Sequence, residues 1–117
     1  MSLGACSLDE KTVTERSQMI QELRKFRSEN TGAVLDAMPI VSKYIPEGMH
    51  EPSLRASLAA IGFQLRQQKE KDGQGDLLLA NCRLDNRFVY RDEVNITIKI
   101  DSGYAKSVSA RIVLRML

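Results

Sequence analysis

The sequence predicts an α+β fold in which amino-terminal helices pack on one face of a carboxy-terminal antiparallel sheet, a meander of roughly four strands. Two observations carry that prediction. Apolar residues recur at three- and four-residue steps up to Gly62 and alternate with polar residues after it, and the two rhythms do not interleave. Parallel strands need a crossover between them, normally a helix, so strands that follow one another directly read as antiparallel.

The first helix is expected over residues 8–29. Ser7-Leu8-Asp9-Glu10 has the S-x-x-E form of a capping box, and Met19, Ile20, Leu23 and Phe26 make one narrow apolar stripe. The half before that stripe carries little but Val13 to bury and reads as a solvent-facing stem. Asn30-Thr31-Gly32 interrupts the pattern. A second helix is expected over 31–44 from Val34, Leu35, Met38 and Val41, with Pro39 either kinking it or starting a separate turn. A third is expected over 52–61, opened by Pro52 and stopped by Gly62.

The strands are expected over 63–70, 76–84, 94–101 and 106–116. Asp72-Gly73-Gln74-Gly75 reads as the turn of a first hairpin and Ser102-Gly103 as the turn of a second. The cleanest alternation is Val94-Asn95-Ile96-Thr97-Ile98-Lys99-Ile100-Asp101, with β-branched residues inward.

Length and charge bound the functional classes. A chain of 117 residues with net charge +2 fits a single domain over 8–117, behind residues 1–7 that form a tether or an expression-derived terminus. A slight cationic excess is not the clustered basic surface of nucleic-acid binding, so no nucleic acid is expected as partner. No run approaches the roughly 20 apolar residues of a membrane-spanning helix. Cys6 and Cys82 lack C-x-x-C spacing and His50 stands alone, which predicts neither metal nor cofactor. Cys82 falls in a strand pattern and reads as a buried, unreactive thiol, although an oxidising compartment would allow a bridge to Cys6.

No catalytic set is expected. His50 and Glu51 are sequence neighbours whose side chains diverge, and no nucleophile accompanies them. Asn95-Ile96-Thr97 matches a glycosylation sequon but lies mid-strand. The binding candidates are Arg87, Phe88, Tyr90, Arg91, Lys99, Arg111 and Arg115. Arg87-Phe88-Val89-Tyr90-Arg91 sets two aromatics between arginines, residue types enriched in interface hot spots, with packing of Phe88 and Tyr90 on the helices as the alternative. Lys99, Arg111 and Arg115, with Thr97 and Ser109, would build a cationic sheet face toward anionic lipid, glycan or an acidic protein surface. The aromatics on which nucleic-acid bases stack are missing from these positions.

Leu3-Gly4-Ala5-Cys6 resembles the processing site of a bacterial lipoprotein, which makes Cys6 the lipidation candidate. A complete export signal has about 7–15 apolar residues before its cleavage site, so this reading expects such a segment ahead of Met1. Tyr44-Ile45-Pro46-Glu47-Gly48-Met49, then Ala60-Ile61-Gly62-Phe63 and strands, resembles small bacterial lipoproteins related to the outer-membrane barrel-assembly lipoprotein and the β-lactamase-inhibitor-protein fold. The similarity spans residues 44–101. It implies a periplasmic, membrane-tethered, non-enzymatic protein that binds other proteins of the cell envelope, and it transfers no binding residue.

The expected function is therefore an envelope lipoprotein acting as an adaptor or inhibitor-like module, in contact with the membrane only through its lipid. The alternative is a cytoplasmic accessory or regulatory domain that forms a homodimer through the Met19, Ile20, Leu23 and Phe26 stripe.

Overall fold

The computed structural model describes residues 10–69, 75–86 and 90–116. In chain order the elements are α1 (Glu10–Glu29), β1 (Val34–Asp36), α2 (Met38–Tyr44), α3 (Glu51–Ile61), β2 (Gln64–Lys69), β3 (Asp76–Asn86), β4 (Tyr90–Asp101) and β5 (Tyr104–Met116). The α+β class is as expected, with one strand more. The sheet is antiparallel and five-stranded in the order β1-β5-β4-β3-β2, so a meander of consecutive strands is extended by β1 at its β5 edge.

The end of α1 follows from its last residues. Asn30 Nδ2 donates to the Phe26 carbonyl at 2.8 Å, satisfying a terminal acceptor, and Gly32 takes a φ of 136° that few other residues adopt. The expected helix over 31–44 is corrected at this point. Val34–Asp36 pairs with Arg111–Val113 of β5, and the Ala37 amide donates to the Ala110 carbonyl at 3.0 Å. Unpaired edge groups of a long strand outcompete a helix turn that three extended residues would have to begin. Pro39 then lies in the first turn of α2, where its missing amide costs nothing, and Asp36 Oδ1 accepts the Met38 amide at 3.0 Å.

α3 behaves as its sequence predicts. Pro52 lies in its first turn and Gly62 closes it in the left-handed region, with the amides of Gly62 and Phe63 both returning to the Leu58 carbonyl. The hairpin β2–β3 closes on the pair Lys69 and Asp76; most of its connection, including the expected turn Asp72-Gly73-Gln74, lies outside the described residues. β4 starts at Tyr90 rather than Val94.

The core lies between the helices and one face of the sheet. β4 alternates without a fault: Asp92, Val94, Ile96, Ile98 and Ile100 are buried, and Arg91, Glu93, Asn95, Thr97 and Lys99 point the other way. Met19 and Leu23 of α1, Val41 of α2, and Leu54 and Leu58 of α3 are fully buried against Val94, Ile96, Ile98 and Ile112. Ile20 and Phe26 pack on the same core. The stripe offered for homodimerisation therefore faces the interior of its own chain. Leu84 is the extra residue of a β-bulge in β3, and its carbonyl accepts Arg24 Nε of α1 at 3.2 Å, so a group displaced from the ladder still finds a donor.

Candidate functional site

None of the described helices covers the second face of the sheet. Strand parity and register put Arg91, Glu93, Asn95, Thr97 and Lys99 of β4 there, opposite Arg115, Val113, Arg111, Ser109 and Ser107 of β5. β3 contributes Leu77, Leu79, Asn81 and Arg83, and β2 contributes Gln64, Arg66 and Gln68. Val34 and Asp36 complete the face at β1. Side chains along the central strand are half-buried, although none of the described helices lies above them.

The face is cationic. Among the described residues Arg66, Arg83, Arg91, Lys99, Arg111 and Arg115 stand there with the carboxylates of Glu93, Asp36 and, at the end of β4, Asp101, which lies 3.9 Å from Lys106. Glu93 takes Arg115 Nε at 3.1 Å and lies 3.5 Å from Arg91 Nη2, while the Asp36 carboxylate is engaged by the Met38 amide. Among the described residues Arg66, Arg83 and Arg111 form no ion pair, which gives the described part of the face a positive surplus.

One corner of this face is concave. A depression of about 610 Å³ is lined by Gly62, Gln64, Asn81, Cys82, Arg83, Arg91 and Glu93. The Cys82 side chain belongs to the helix side by parity; it is a free, half-buried thiol, and burial raises its pKa against the opposing pull of Arg24. That keeps it a poor nucleophile.

The sequence candidates separate in space. Arg91, Lys99, Arg111 and Arg115 share the outer face as their parity predicts. Tyr90 does not join them: it sits on the helix side of β4, beyond the end of the core, and is 37% exposed. Arg87 and Phe88, like Cys6, lie outside the described residues, and so do Val89 and the Ser7-Leu8-Asp9 part of the capping box. The segment 87–91 thus does not present Tyr90 and Arg91 as one contact. Sequence reasoning missed Arg66, Arg83, Asn81 and Glu93; their alternation was visible, but their place beside β4 depends on a strand register.

His50 and Glu51 occupy structural roles. The His50 ring lies 5.0 Å from that of Tyr104, and Glu51 Oε2 accepts Arg55 Nε at 2.8 Å. Among the described residues no group of His, Cys, Asp and Glu is arranged to hold a metal ion, and no helix is long and apolar enough to cross a membrane. Comparison of the chain with family models, with curated proteins and with solved structures gives no significant match. The functional reading therefore rests on the face itself.

Proposed function

We propose that this chain is a non-enzymatic, protein-binding module whose recognition surface is the outer face of the sheet and whose partner presents an acidic protein surface. The observation that carries the reading is the imbalance of charge on a layer that none of the described helices covers: Arg66, Arg83 and Arg111 add to an arginine pair already sharing Glu93. Complementary potential raises the rate and selectivity of association, and clustered arginines suit carboxylates better than lysines do. A second copy of the same face would meet like charge, which favours a different partner. Leu77, Leu79 and Val113 lie among the charges and supply the apolar area that a protein contact needs.

The engagement of Glu51 with Arg55 and of His50 with Tyr104 supports a binding role over catalysis. The same reading includes tethering in the bacterial envelope through an acylated Cys6, which mass spectrometry of the chain expressed from its natural reading frame would detect.

The face is tested by titrating the full chain with a fluorescein-labelled, end-capped hexaglutamate peptide. Binding is expected to weaken as salt rises through the range where the Debye length falls to about 8 Å. Arg66→Glu combined with Arg111→Glu is expected to abolish it. Absence of binding by the wild type would overturn the reading. Tight, salt-sensitive binding to phosphatidylglycerol vesicles without peptide binding would transfer the face to a membrane surface instead.

A further inference from the structure

We infer that the depression at the β2, β3 and β4 corner is the seat for a single carboxylate of the partner, gripped between Arg83 and Arg91. The inference rests on the outer face being the recognition surface, and it narrows that surface to one anchor. In the ladder Arg83 is the direct neighbour of Glu93, and Arg91 precedes Glu93 by two residues on the same side of β4, so both guanidinium groups border one hollow.

Both have donors to spare. Among the described residues neither Arg83 nor Arg91 donates a hydrogen bond; Arg91 is held only by the 3.5 Å contact between its Nη2 and Glu93 Oε2, and its Nε is buried without an acceptor. Glu93 is itself shared, since its Oε1 also accepts Arg115. One carboxylate therefore serves Arg91 and Arg115 while Arg83 stands opposite with none, and the hollow keeps a positive surplus.

A carboxylate fits this surplus in charge and shape. Guanidinium and carboxylate groups pair through parallel, charge-assisted hydrogen bonds, and the side-chain amides of Gln64 and Asn81 on the wall can donate to an oxygen left over. A partly enclosed pair is screened less than one on an open surface. The Glu93 carboxylate in the wall disfavours a dianion, so an Asp or Glu side chain is the better occupant than a phosphate group. The volume of about 610 Å³ admits such a side chain with its solvent.

Four variants of the full chain test the seat with the same hexaglutamate probe. Arg83→Gln and Arg91→Gln are each expected to weaken binding about tenfold, as loss of a charge-assisted pair does. Arg66→Gln removes the same charge from the face outside the hollow and is expected to weaken it only about twofold. Arg91→Lys keeps the charge, loses the planar fork, and should fall between them. Equal losses at residues 66, 83 and 91 would overturn the seat and leave the general cationic face standing, whereas a wild type that ignores the peptide would overturn the face as well. Competition by inorganic phosphate at lower concentration than by N-acetylglutamate would overturn the carboxylate assignment. Should Arg91→Gln fail to fold by circular dichroism, the exposed Arg83→Gln decides the comparison with Arg66→Gln.

Discussion

Arg27 and Asp92 form a buried ion pair that locks the last turn of α1 to the central strand β4. Arg27 Nε donates to Asp92 Oδ1 at 2.9 Å, with side-chain exposures of 8% and 1%, and Arg27 Nη1 also donates to the Gly32 carbonyl at 2.8 Å. One side chain thereby fixes the helix end, the glycine bend after it and the strand below. The cation also lies at the carbonyl end of α1, where the helix dipole favours it.

Breaking this pair from one side removes a charge partner from a buried carboxylate. Arg27→Met is expected to lower stability by about 3–5 kcal/mol, because it takes a 2.9 Å charge partner away from a carboxylate that is only 1% exposed. Arg27→Met combined with Asp92→Val is expected to recover most of that loss, since apolar side chains of similar size often replace a buried pair at little cost. Urea denaturation of the single and double variants measures the coupling. A double variant no more stable than Arg27→Met would assign the loss to packing rather than charge.

Glu22 gives the fold an acid-sensitive contact. Its carboxylate accepts Lys43 Nζ and Tyr44 Oη of α2, and those hydrogen bonds, Lys43 first, hold its pKa below the ordinary value against a smaller opposing push from burial. A depressed folded-state pKa means that the unfolded chain takes up the proton first, so the contribution is complete above the ordinary carboxylate value and is lost as pH falls through the folded one. Wild type is therefore expected to exceed Glu22→Gln in urea midpoint at neutral pH, with the gap closing in acid. A gap that stayed constant with pH would place the effect outside this titration.

The legibility of the fold varied with how local its cause is. α3 and its Gly62 stop depend on residues within one turn of each other, and the inward set of β4 depends on one strand's own alternation, so both could be read directly. β1 could not. Val34, Leu35, Met38 and Val41 happen to fall at helical steps, three residues are too few to display a period of two, and what makes them a strand is the edge of β5 more than 70 residues away, where the Leu114 amide reaches the Ala33 carbonyl. The candidate site divides in the same way. Lys99, Arg111 and Arg115 are joined across a short turn that sets their register, whereas Arg66 and Arg83 reach the face through a hairpin whose connection is too long to specify register by turn chemistry.

Leu23 distinguishes a helix stripe that serves the core from one that serves a second copy. It is fully buried, beside Met19 and above the sheet residues of the same chain. Leu23→Ala removes methyl groups from a packed interior and leaves a cavity, a change expected to cost about 2–5 kcal/mol of unfolding free energy. The molar mass by light scattering should match that of wild type at the same concentration, because the substitution touches no outer surface. A large fall in molar mass with only a small shift in urea midpoint would instead make the stripe an interface between copies, and would require α1 to turn away from the sheet.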